Sequence, residues 1–403
     1  MSNSPFISYL FIALCILEGP IVTIFGIRGI HYIVLLLMIV ATIVYFSDIK
    51  FRRVFTSLPV LIWFMWILYV IINWHFFQDV KPTDISNLND MNFVVRKCLT
   101  PWFMMSIIYY EGSRDFCRLL RLLIVVLASF VVVGMLFQTA ATGVTKEERG
   151  GELLGNSLPL TAMIMSFVLF LAKSLEVIKT RHFVILISLC LLGIFFGATR
   201  KAFGGFVIIT VFYLLGTYDL RKPTNILFFI LLVGVASILF NYVMNNTVMG
   251  ERIYMIDEDS SDYIINNNLL LSLMGDRAFF YIYGGDLFLK YPIYGIGLTN
   301  FPVYTGSELP IHSEYIVQLC ECGIIGAVIY ILFILSLLIP ILRMIRNNHS
   351  PAFMICMGAL MTVLFISFYT WTYSIPRYFL AFGIILSVCR PYVESNDSGF
   401  IDG

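Results

Sequence analysis

The chain has 403 residues, of which 59% are hydrophobic and only 13% charged. That is about half the charged fraction of a soluble globular domain, so it excludes that class and predicts a polytopic membrane protein. A formal net charge of +1 removes nucleic acid as a partner, which would need a strongly basic face.

A helix needs about 20 mostly apolar residues to cross a bilayer. Twelve spans are predicted on that rule, near 6–26, 29–47, 57–77, 92–110, 119–141, 157–172, 183–199, 202–217, 224–243, 323–342, 351–370 and 376–391. The expected fold class is all-α, a polytopic membrane protein of about twelve transmembrane helices with a long, partly helical outer loop. Residues 1–244 would carry spans 1–9, residues 245–322 the large loop, and residues 323–403 spans 10–12 and a tail. The start, MSNSPFISYL, has no basic leader before its apolar run, which predicts a retained first span. Six of the eight cysteines sit in or beside spans and read as small core residues. Cys320 and Cys322 lack a second cysteine pair or nearby histidines, so zinc is not expected.

The basic residues test the spans independently. Lys50, Arg52 and Arg53 follow span 2, and Arg114, Arg118 and Arg121 follow span 4. Lys173, Lys179 and Arg181 follow span 6, Arg221 and Lys222 span 8, and Arg343 and Arg346 span 10. Every cluster falls after an even-numbered span, so both termini are expected in the cytoplasm. The odd-numbered connections then face outward: QDVKPTDISNLND, GVTKEERGGELLGNS, the tight turn ATRKAF, the long loop and WTYSIPRY.

Arg200 and Lys201 break this pattern, because the short outer turn between spans 7 and 8 leaves them at the membrane surface. Snorkelling is the plainer account. The functional one is an anion site, for which Arg offers a planar fork matched to phosphate oxygens and Lys a point charge. Arg96 and Lys97 near the start of span 4, and Arg377 at the start of span 12, read as interface anchors. Arg149, in RGGELLGNS, sits beside glycines that let backbone approach a ligand closely.

The long loop holds most of the remaining polar chemistry. Asp276 and Arg277 precede AFFYIYGGDLFLKYP, in which Phe280, Gly284, Leu287 and Phe288 recur at helical spacing. A helix starting near Gly275 would aim Arg277 and backbone N–H groups at an anion, or else pair the two charges at its start. After the turn-forming Pro292, Gly295 and Gly297, Pro310 is expected to open a helix running into span 10. His312, Ile316, Leu319 and Gly323 would share one face of it, and Glu314, Gln318, Glu321 and Ile325 another. A largely neutral imidazole at the membrane surface can accept a proton, so His312 is the candidate base. The Asp257-x-Asp259 pair has no strand before it and no nucleotide-sized domain around it, so a solvated acidic loop explains it better than a metal–nucleotide site.

Three segments, ATRKAFGG, GDRAFFYIYGGDLFLKYPIYGIGLTNF and IHSEYIVQLCECGIIG, resemble the bacterial O-antigen ligase and O-antigen polymerase superfamily, with RGGELLGNS a weaker match. The resemblance implies a metal-independent, inverting glycosyltransferase of the GT-C-like class in the bacterial inner membrane, with a periplasmic active site and no cofactor. It implies an undecaprenyl-pyrophosphate-linked glycan as donor, and a lipid-linked repeat unit or lipid A–core as acceptor. Membrane lipids surround it, and a polysaccharide chain-length regulator is the one further partner it allows. By matching position, Arg200 and Arg277 would bind pyrophosphate and His312 would act as base. Lys201, Arg149, Glu314, Tyr315 and Asp276 complete the candidate site as substrate-binding residues. The ATRKA turn and the HSEY form are closer to polymerases, since ligases more often show His-Asn at that helix start. A competing class, a flippase for the same lipid-linked sugar, should carry charge at mid-membrane, whereas the unusual charges here cluster at one face.

Overall fold

The computed structural model describes residues 5–25, 29–77, 94–142, 157–197, 199–218, 222–225, 278–307, 310–347 and 350–390. All regular structure among them is helical. Helices α1 (Phe6–Phe25), α2 (Ile30–Tyr45), α3 (Ile49–Thr56) and α4 (Leu58–Phe76) open the chain. A π-helical turn, Val94–Leu99, leads into α5 (Thr100–Thr142), followed by α6 (Ser157–Ser174), α7 (Thr180–Phe196) and α8 (Arg200–Thr217). After these come α9 (Ala278–Lys290), the short α10 (Phe301–Thr305) and α11 (Glu314–Ile316), a π-turn at Val317–Glu321, α12 (Gly323–Asn347), α13 (Pro351–Ser367) and α14 (Pro376–Val388). Span 9 lies outside the described residues apart from its first positions.

Among the described residues, four helical runs, Leu58–Phe76, Lys97–Phe137, Ser157–Ser174 and Gly323–Asn347, are long and apolar enough to cross a membrane. A fifth is added if α2 and α3, bent by 119°, count as one span. The other apolar helices are shorter, at 10–17 residues.

The 43-residue run α5 is not one rod. Asp115 leaves helical geometry (φ −152°, ψ 91°), and its Oδ1 accepts from the Arg118 N–H at 2.9 Å, so it caps a second helix. The neighbours of α14 show which way that second helix goes. Ser113 O accepts from Arg390, and Gly383 packs on Ile108 and Met105, so α14 lies parallel to the first half of α5. Arg377, about 20 Å from Arg390 along α14, sits 4.9 Å over the Phe130 ring. In a straight α5, Phe130 would lie about 25 Å beyond Ser113 in the opposite direction. The chain therefore folds back at Asp115, giving two antiparallel helices where spans 4 and 5 are predicted.

This fold-back collects polar groups at one end of the bundle. Tyr110 donates to Asp48 at 2.7 Å, Arg114 lies over the Tyr110 ring, and Arg118 lies over Tyr9. We call this the arginine-rich end. The core between the ends is aromatic: Trp63 stacks on Trp66 at 4.8 Å and meets Phe333 and Phe379. Of the eight cysteines only Cys117 is exposed; the rest are buried and unpaired, as packing residues should be.

Candidate active site

At the opposite end, α9, the segment 310–322, the start of α8 and the connection 368–375 come together. Phe280, Gly284 and Leu287 form the buried face of α9, the periodicity expected of it. A Cβ on Gly284 would fall 2.3 Å from Ile316, so glycine permits the close approach of α9 to the π-turn.

His312 lies at the centre of this end. Its imidazole stacks on Trp371 (centroids 4.9 Å apart, 14° between planes) and takes the edge of Phe280 at 5.7 Å. Two aromatic walls thus orient a ring that is still partly exposed. The expected continuous helix through His312 is not what forms. His312 lies outside any helix, Ser313 is extended (φ −146°, ψ 126°), and helix begins only at Glu314. It then widens into the π-turn and breaks at Gly323, whose φ of +65° starts α12 afresh. The physical reason lies across the turn: the Pro292 carbonyl accepts from Ile324, and Ile296 and Gly297 donate to Cys320 O and Glu321 O, each near 2.9 Å. The carbonyls that would continue the helix are bound to the 291–297 turn instead.

The residues of the His-Ser-Glu-Tyr run are held by α9, the end of α13 and the connection after it. Ser313 Oγ shares a 3.0 Å hydrogen bond with Tyr281, whose hydroxyl also donates to Phe368 O. Tyr315 donates to Leu364 O at 2.8 Å and packs on Phe368. Glu314 is fully buried. Its Oε2 accepts from the backbone N–H groups of Thr372 and Tyr373 and from the Thr372 hydroxyl, and its Oε1 accepts from Gln318. Gln318 in turn accepts from Trp66 Nε1 at 2.8 Å. The internal partners of Glu314, a substrate-binding candidate by sequence, suit it to fixing the turn that presents Trp371 to His312. Burial raises its carboxyl above the usual carboxylate range, with the four donors pulling the other way.

Glu314→Ala would leave several buried donors without an acceptor, at about 1–3 kcal/mol each. A clear fall in melting temperature in detergent, with loss of activity, is the expected result; an unchanged melt would contradict this role.

Glu321 is also buried, accepts from the Phe301 N–H at 3.4 Å, and is pushed up to about 8, chiefly by burial. An unfolded Glu ionises near 4.3, so between about pH 4 and pH 8 the fold keeps a proton that the unfolded chain has lost. Stability contributed by this group is therefore present at low pH and falls as pH rises to about 8. Melting curves from pH 5 to pH 8 should slope less for Glu321→Gln than for the parent; equal slopes would rule the group out.

Of the cationic candidates, Arg200 begins α8, with Lys201 next and half-buried. Gly204 packs on Phe365, and Gly205 O accepts from Thr362 at 3.1 Å. The first turn of α8 is thereby fixed beside the last turn of α13, a few residues before Trp371. A helix N-terminus there adds partial positive charge to the two side chains' own. Arg149, Asp276, Arg277 and the Asp257–Asp259 pair lie outside the described residues, as do the side chains of Arg96 and Arg200. Arg377, in the first turn of α14, donates to Ile16 O and lies over Phe130, so its side chain is held between helices. Trp371, Tyr281 and Trp66 carry no sequence signal that would mark them as part of this site. A tryptophan in a short connection between two apolar helices looks like an ordinary interface residue.

No curated protein matches the chain. Residues 183–331 match the family model described as O-antigen ligase, a stretch that includes Arg200, Lys201, Arg277 and His312. Residues 183–331 thus resemble a domain of that family, which is consistent with the O-antigen ligase and polymerase superfamily.

Proposed function

We propose that the chain is an O-antigen polymerase that crosses the bacterial inner membrane twelve times, with both termini cytoplasmic and a GT-C-like arrangement. It would transfer the growing glycan from undecaprenyl pyrophosphate to a hydroxyl of the next lipid-linked repeat unit, on the periplasmic face. The observation that carries this reading is the family domain at 183–331, which holds the two out-of-pattern cations and His312 in one stretch. The aromatic corner around His312, at the end where α8 begins, supports it.

In this mechanism His312 takes the proton of the acceptor hydroxyl as its oxygen attacks the anomeric carbon. The bond from that carbon to the pyrophosphate oxygen breaks, and its electron pair leaves with undecaprenyl pyrophosphate. Arg200, Lys201 and Arg277 stabilise the charge developing there. Attack opposite the leaving group inverts the anomeric centre, and cations fill the role a metal has elsewhere. Arg149, Asp276 and Tyr315 would line the glycan and headgroup path.

A ligase reading, with lipid A–core as acceptor, is favoured by the description of the matching family. A deletion strain separates the two: lipopolysaccharide capped with a single repeat unit indicates a lost polymerase, and a bare core a lost ligase. Purified protein that joins no sugars when given lipid-linked repeat units would count against both.

A further inference from the structure

The end of α9 and the segment that follows it carry large apolar side chains on their surface: Leu289 is 77% exposed and Ile293 54%. Two membrane-crossing helices fix the depth of this segment. Asn73, in the last turn of α4, donates to Tyr294 O at 2.8 Å, and Phe77, just past its end, stacks flat on the Tyr294 ring at 4.2 Å. Ile324, in the first turn of α12, donates to Pro292 O at 2.8 Å. Residues 292–294 are thus level with the ends of two spans, so Ile293 and the neighbouring Leu289 face outward at the depth where lipid begins. Along α9, Ile282 and Leu289 share one edge of the exposed face, while Asp286, Lys290 and Tyr283 lie to the other side. This division is that of a helix lying along an interface.

We propose that Ile282, Leu289 and Ile293 insert among the acyl chains of the leaflet at the His312 end, so that the loop is seated in the membrane surface and does not project into water. The membrane is the occupant because the two hydrogen bonds that set the depth come from spanning helices. A patch meant for a soluble partner would stand clear of those ends. The seating also holds α9, and with it Phe280 against His312, at the level where a lipid headgroup lies.

Full-length protein with Cys117→Ser leaves only buried cysteines, so single exposed cysteines can be labelled with an environment-sensitive fluorophore. Labels at Leu289→Cys and Ile293→Cys would be compared with Phe76→Cys, the 73%-exposed last residue of α4, and with Asp286→Cys. The protein would be held in nanodiscs of phosphatidylethanolamine and phosphatidylglycerol. Spin-labelled lipid should remove most of the fluorescence at 289 and 293, as at 76, and iodide in the buffer should act mainly at 286. If 289 and 293 instead follow 286, being quenched by iodide and not by lipid, the proposal is overturned. Because all four positions are exposed, the labels test depth without disturbing the packing.

Discussion

His312→Ala is expected to lower glycan transfer by about a hundred- to ten-thousandfold, the usual contribution of a positioned general base, while leaving folding nearly intact. The ring is partly exposed and lies between Trp371 and Phe280. Water can therefore occupy the space it leaves, unlike the void created by truncating a core residue. His312→Gln sharpens the test, since it keeps a hydrogen-bonding side chain of similar reach but cannot accept the proton. Both variants should melt as the parent does and both should fail in an assay with lipid-linked repeat units. Full activity in either, at normal expression, would remove His312 from the mechanism. Trp371→Leu distinguishes orientation from basicity. It leaves the imidazole present but takes away its stacking wall, so kcat should fall by less than in His312→Ala, with Trp371→Phe retaining most of it.

Much of the architecture could be read from hydropathy, because a long apolar run in a membrane protein has few alternatives to helix. The fold-back in α5 was legible for a second reason. Arg114, Arg118 and Arg121 could not lie in mid-membrane, and the run had to turn where they gather, which it does at Asp115. The site was legible only in outline. The His-Ser-Glu-Tyr run marked the place, and its expected helical faces do bring Glu314 and Gln318 together, at 2.7 Å. What periodicity could not show was the interruption of that helix. The break depends on carbonyls at 320–321 bonding to a turn about 25 residues earlier, a long-range pairing that leaves no local pattern. Trp371 was hidden for a similar reason. Its value comes from the distant Glu314 fixing the backbone beside it. The sequence carries each partner in an unremarkable setting.

The glycines of this junction give the second large effect, and they can be ranked. Gly323 has a φ of +65°, and a Cβ there would lie 2.3 Å from the backbone carbonyl oxygen of Ile293. Gly295, at φ +69°, would place its Cβ 2.5 Å from Glu321 O. Both obstructions are backbone, held by the hydrogen bonds from Ile296, Gly297 and Ile324, so neither can swing aside as a side-chain tip would. Left-handed backbone alone costs an alanine about 1–2 kcal/mol; with the clash, Gly323→Ala should cost about 4 kcal/mol or more, in the range kept for severe defects. Gly306, also left-handed at +68° but with open space around it, isolates the backbone share, so Gly306→Ala should cost only about 1–2 kcal/mol. Gly285 lies inside α9 with nothing within 4 Å, and Gly285→Ala should stabilise by about 0.5–1 kcal/mol through helix propensity. Thermal melts of the purified variants should therefore order as Gly285→Ala above parent, Gly306→Ala below it, and Gly295→Ala and Gly323→Ala far lower. Activity should be lost with the last two, because a displaced 291–297 turn releases the π-turn that carries Gln318, and with it Glu314, Trp371 and the orientation of His312. A Gly323→Ala protein that melted with Gly306→Ala would mean that the turn and the helix start are not locked together.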